Sequence, residues 1–173
     1  MKSYTFTEGP SDLTQSGPIK ETTLEDLAAD GRTVLIRHYM WDPSDAEPCP
    51  HCCSALDAWD AMAPNLADRV TFVIVAKAEI ERFRTLGTKR NWKNLRLLSS
   101  FGSDFNREMN VESVAWTEVK QLPGLSVFKK DAEGVVRHFY TDLANYDADT
   151  IGYDFYGGYR NFFDFAPEGR GGF

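Results

Sequence analysis

Three cysteines, Cys49, Cys52 and Cys53, fall within five consecutive residues, in the string CPHCC. Cys49 and Cys52 have the CxxC spacing, which serves either thiol-disulfide exchange or metal binding. Where such a pair opens a helix, the first sulfur meets free N–H groups and the positive end of the helix dipole. Its pKa then falls from about 8.5 into the range of roughly 3.5–7.5. This makes Cys49 the attacking thiolate. Cys52, one turn later, is close enough to displace a mixed disulfide formed at Cys49, and is the resolving thiol. Pro50 suits the first helical position, where its missing N–H costs nothing, and His51 brings a second donor or a positive charge to the thiolate. Both favour the reduced, ionised pair, and a more stable reduced state means a more oxidising disulfide.

Metal binding is the competing reading of the same residues. A four-thiolate zinc site lacks its second pair in this chain. Cys49, Cys52, Cys53 and His51 could gather around one metal, but adjacent cysteines on a helix diverge by about 100° and chelate badly. No metal or other cofactor is therefore expected. Cys53 reads as a small buried apolar residue, and His38 and His138 read as sheet residues. Trp41 either lines the approach to the thiols or simply packs.

The elements around the motif must present it between a strand and a helix. Residues 33–40 are branched and aromatic enough for a buried strand, and 41–48 form a loop rich in prolines and acids that ends at Cys49. Beyond the motif, Leu56, Trp59, Ala63 and Leu66 recur at helical spacing to about Asp68, with Pro64 as a kink or end. Residues 70–76 are almost continuously apolar, which fits a parallel strand covered on both faces and completes a βαβ unit. A helix over 78–91, a short strand over 95–98 and a helical turn over 104–110 follow. Strands at 125–130 and 135–140 flank a hairpin loop in which Gly134 supplies a positive φ. Upstream, Thr22 or Thr23 caps a brief helix through Leu27. Downstream, aromatic residues at 146–165 suggest a helix covering the sheet and leave room for a dimer interface, ahead of a glycine-rich tail.

With 173 residues, 42 % apolar and 13 % aromatic, one folded α/β domain is expected. Residues 1–21 read as a lead-in, 22–165 as the domain and 166–173 as the tail. A net charge of −7, from 26 acidic and 19 basic side chains, argues against nucleic acid and anionic membrane as partners. No secretory apolar stretch opens the chain, and clustered thiols without distant partners suit a reducing compartment. The expectation is a cytoplasmic protein acting on protein or low-molecular-weight thiols and disulfides.

Three strings carry a more specific signal: SSFGSDFN at 99–106, LPGLSVF at 122–128 and DFAPEGR at 164–170. With the strand-loop-CPHC segment, they resemble a thioredoxin-like bacterial family of uncharacterised function, described as dithiol-disulfide oxidoreductases by prediction. The resemblance covers most of the chain from about Thr22. It implies a thioredoxin-like fold, a central mixed β-sheet flanked by helices. It also implies a role for Pro123, since thioredoxin folds carry a cis-proline before the antiparallel strand, abutting the CxxC and offering backbone hydrogen bonds to a bound peptide. Leu122 then belongs to the substrate approach with Trp41. The stretch 92–118 looks like a peroxiredoxin-type insertion between the βαβ unit and the hairpin, and an antioxidant peroxidase is the alternative activity. Peroxiredoxins place a threonine three residues before the reactive cysteine and a proline four before that. Here those positions hold Ala46 and Asp42, and Arg137 does not fit their activating arginine. A non-catalytic binding or metal-carrying module is the third reading.

Overall fold

The computed structural model describes residues 2–113 and 120–143. In chain order these form β1 (Thr5–Glu8), β2 (Lys20–Thr23), α1 (Leu24–Leu27), β3 (Thr33–Tyr39), α2 (Pro50–Leu66), β4 (Val70–Ala76) and α3 (Ile80–Lys89). There follow β5 (Leu97–Ser99), α4 (Phe105–Glu108), β6 (Glu112–Ser113), β7 (Lys120–Gln121), β8 (Gly124–Lys130) and β9 (Val136–Leu143). Seven strands make one mixed sheet in the order β2-β1-β5-β4-β3-β8-β9. β3 and β4 run parallel, from Thr33↔Val70 to Tyr39↔Ala76, with α2 as the crossover. β8 lies antiparallel on the other side of β3, and β9 pairs with β8. The βαβ unit and the later hairpin are thus neighbours in one sheet. The insertion between them contributes β5, α4 and the small β6-β7 pair.

Period-two alternation divides the core. Val73 and Val75 of β4 join Val34, Ile36, Phe105 and Phe128 on one face. Ile74 and Ala76 join Tyr39, Cys52, Leu56 and Phe83 on the face that α2 and α3 cover. This explains the unbroken apolar run of β4, because both faces need oil.

Residues 5–8 and 20–23, inside or beside the segment read as a lead-in, pair as a hairpin that joins the sheet at Thr7↔Ser99. Phe6 is buried in the core, so this segment belongs to the sheet. Thr23 caps α1 in a capping box with Asp26, each side chain taking the other's backbone N–H. Gly134 turns the β8-β9 hairpin at φ 79°.

α2 continues past Pro64 to Leu66 rather than ending there. Pro64 has no N–H for the carbonyl of Asp60, and the Asn94 side-chain amide donates to that carbonyl instead, at 3.0 Å. The expected helix over 146–165 and the tail 166–173 lie outside the described residues.

Candidate active site

β3 ends beside the motif and its main chain holds it, with Cys49 N–H donating to Met40 O at 3.2 Å. Trp41 and Arg82 both fasten the intervening loop. Trp41 Nε1 donates to Asp45 O at 3.1 Å, and Arg82 of α3 donates to the carbonyls of Pro43, Asp45 and Ala46. The Arg82 guanidinium also lies 4.8 Å from the centre of the Trp41 ring, a cation-π contact. Cys49 is the N-cap of α2 and Pro50 opens the helix, with no side-chain oxygen capping it. The sulfur of Cys49 therefore occupies the position where a helix start favours negative charge.

The three thiols differ in state. Cys49 is half-buried, whereas Cys52 and Cys53 are buried. The hydrogen bond from the Cys52 thiol is the chief influence on Cys49. Burial opposes it, and the backbone N–H groups of Cys52 and His51 with the charge of His51 add to it, so the Cys49 pKa is lowered to about 6. Cys52 moves the other way, pushed up by its bond to Cys49 and by burial, while the charge of Arg37 and the backbone of Met40 pull against that rise. Burial likewise raises Cys53, whose sulfur lies 2.9 Å from the Tyr39 hydroxyl. The pair thus joins a half-buried cysteine shifted toward the thiolate to a buried one shifted toward the protonated thiol.

Cys49, Pro50, His51 and Cys52 come together as expected in the first turn of α2, with His51 exposed. The expectations for Pro123 and Leu122, and the approach role of Trp41, need correction, whereas those for Arg137 and His38 hold. Among the described residues no peptide bond is cis, so Leu122-Pro123 is trans. The neighbouring main chain is already engaged, since Leu122 N–H donates to Val111 O at 2.7 Å and Gly124 O accepts from Arg37 Nη1 at 2.9 Å. Pro123 is buried at the start of β8, and Leu122 packs against the core cluster on the face away from α2. Trp41 is buried among core residues and serves as packing and loop anchor. Arg137 is spent on Asp131, at 2.6 Å. His38 is a buried sheet residue, its Nε2 2.6 Å from Ser126 Oγ, and burial pushes its pKa down to about 3, leaving the ring neutral.

Sequence reasoning missed the supports behind this site. Ser100 Oγ donates to Asn106 Oδ1 at 2.7 Å, and Asn106 Nδ2 donates to Gln121 Oε1 at 2.7 Å. Gln121 Nε2 then donates to Asp42 Oδ2 at 3.5 Å, in the loop that leads to Cys49. The string SSFGSDFN was a usable signal: its second serine and its asparagine build this buried relay. Arg37, Arg82 and Asp60 carried no comparable mark.

Among the described residues, no group of three or more His, Cys, Asp or Glu side chains is placed to hold a metal ion. No helix among them is long and apolar enough to cross a membrane.

Residues 10–172 match the model of a family described as bacterial protein of unknown function, DUF899. The chain belongs to this family. No curated protein matches the DUF899 chain. Its structure is similar to the pneumococcal exposed lipoprotein thioredoxin Etrx1 of Streptococcus pneumoniae strain TIGR4, with TM-score 0.54 and 18 % identity over 84 % of this chain and 93 % of that one. It is also similar to reduced Prx3 in complex with hydrogen peroxide from Vibrio vulnificus, with TM-score 0.57 and 16 % identity over 84 % and 85 % of the two chains. Thioredoxin peroxidase I of Plasmodium yoelii gives 0.56 and 17 % over 83 % and 77 %. At such identities the likeness is one of fold: this DUF899 member has the thioredoxin/peroxiredoxin-like α/β fold.

Proposed function

We propose that the protein is a thiol-disulfide oxidoreductase in which Cys49 attacks and Cys52 resolves. The observation that carries this reading is the asymmetry of the pair, a half-buried Cys49 thiol held at about 6 beside a buried Cys52 pushed upward. One unit above its pKa, at pH 7, a thiol is roughly 90 % ionised. The Cys49 thiolate attacks one sulfur of a substrate disulfide, forming a mixed disulfide and releasing the first substrate thiolate. Cys52 gives up its proton and attacks Cys49 Sγ. The protein disulfide closes, the second substrate thiolate leaves, and the substrate has gained two electrons. The reverse sequence oxidises a dithiol. Substrates of this chemistry are protein or low-molecular-weight thiols and disulfides, in a cytoplasmic setting. With a glutathione couple, the wild type should exchange and Cys49→Ser should lose at least about a hundredfold in rate. Equal rates for the two proteins would sink the reading.

The low pKa of Cys49 and the fold shared with Prx3 favour a second activity, thiol peroxidase. There the thiolate attacks a peroxide oxygen, becomes a sulfenic acid and releases water or an alcohol, and Cys52 condenses with it to a disulfide and a second water. Cys52→Ser should then accumulate a sulfenate at Cys49 with stoichiometric loss of hydrogen peroxide. Without that species, exchange alone stands.

A further inference from the structure

Arg37 lies in the interior, 3 % exposed, on β3, the strand that leads to the cysteines. Alternation along β3 sends Val34 and Ile36 to the core cluster away from α2, while Tyr39 lies in the cluster beneath α2 that contains Cys52 and Cys53. Arg37 shares the parity of Tyr39, and Tyr39 reaches the Cys53 sulfur at 2.9 Å. The guanidinium is pinned from the neighbouring strand, where Nη1 donates to Gly124 O at 2.9 Å. A group that stays protonated at every relevant pH is thus fixed on the face of the sheet that α2 covers, the face that also holds Cys52, where an apolar side chain would pack at lower cost.

We propose that Arg37 is a built-in counter-charge for Cys52, a positioning residue that stabilises the Cys52 sulfur as it departs from the Cys49-Cys52 disulfide. The inference rests on the dithiol reading above. To reopen the disulfide, an incoming thiolate bonds to Cys49 Sγ, the Cys49-Cys52 bond breaks, and Cys52 leaves with the electron pair. A second thiolate then displaces Cys49 from the mixed disulfide. The substrate thiols end as one disulfide and the protein gains two electrons and, at Cys52, a proton. Burial makes Cys52 a poor leaving group, and leaving groups of lower pKa depart faster. In the mixed disulfide the Cys49 thiolate no longer exists, so its hydrogen bond and charge stop acting on Cys52. Burial then remains as the opposing influence, and the charge of Arg37 acts against it.

The test is the rate at which glutathione opens the oxidised full-length protein. Arg37→Gln should slow this step about tenfold, the product of a shift of ~2 pKa units and a Brønsted slope near one half. Arg37→Lys, which keeps the charge, should restore most of the rate. Alkylation of Cys49 in the reduced proteins should change by less than about twofold, because Arg37 acts on the other sulfur. A Gln variant as fast as wild type, or a Lys variant as slow as Gln, overturns the inference, as does equal slowing of Cys49 alkylation. Should the variants not fold, wild type alone decides through the solvent deuterium isotope effect on opening. A value near one, corrected for ionisation of the glutathione thiol, is expected for departure beside a fixed cation. A value of about two or more means that Cys52 needs a proton donor instead. If the wild-type disulfide resists opening altogether, both the dithiol reading and this inference fall. Normal opening with the Arg37 outcomes reversed removes only the inference.

Discussion

Glu8 in the β1-β2 hairpin and Cys49 at the start of α2 are both acids held well below their usual range, by different means. Around Glu8, burial pushes the pKa up. Hydrogen bonds from Arg96, Thr22 and Lys20 outweigh that and hold it at about 2. The Arg96 bond is bidentate, at 2.8 and 2.9 Å, and the carboxylate is almost fully enclosed. Around Cys49, the leading donor is another thiol, the remaining N–H groups belong to one helical turn, and the residue is only half-buried. An anion ringed by permanent cations can only stabilise. An anion propped from one side by a donor that can itself ionise can react.

The comparison can be broken at several points. The largest effect should come from Glu8→Ala, which strands Arg96 and Lys20 and should cost about 3 kcal/mol in urea unfolding while leaving the exchange rate of the folded protein unchanged. Next comes pH. The folded pKa of Glu8, about 2, lies below its unbound value of 4.5. Its contribution is therefore complete above about pH 4.5, declines as pH falls toward 2 and is gone below that. Partial exposure of the cations limits the loss to about 2 kcal/mol, visible as acid destabilisation that Glu8→Gln should abolish. For Cys49, Cys52→Ala removes the principal donor and should raise the midpoint of its alkylation profile by about 1–2 units from about 6. A midpoint that stays near 6 would give the whole effect to the helix start. The smallest effect belongs to Trp92→Phe, which deletes the 2.7 Å bond from Nε1 to Asp57 Oδ1. It should cost about 1 kcal/mol and leave the Cys49 midpoint in place.

Much of this arrangement could be read from the residues. Thr22 or Thr23 followed by acids announces a capped helix start, which the structure narrows to Thr23, and residues 70–76 declare a doubly covered strand by their apolar run. CPHC between a strand and a helix identifies the candidate thiols. The supports were hidden because they depend on partners distant in the chain. Arg37 looks like one more polar residue in a strand until β8 supplies Gly124 O. Glu8 looks like surface charge until Arg96 arrives from 88 positions away. Pro123 shows the opposite problem. Its context suggested a cis bond, but hydrogen bonds that involve Val111 and Arg37 engage the flanking main chain in trans.

Asp60 gathers the N–H groups of Lys93, Asn94 and Leu95 onto one carboxylate oxygen, at 2.8, 2.8 and 3.2 Å, while its carbonyl takes the Asn94 amide. A single helical position therefore measures the length of the connection from α3 to β5. Adding or deleting one residue there would shift which amides face that oxygen and drag Leu97 out of step with Ile74, its partner in the sheet. The segment tolerates changes of composition far better than changes of length.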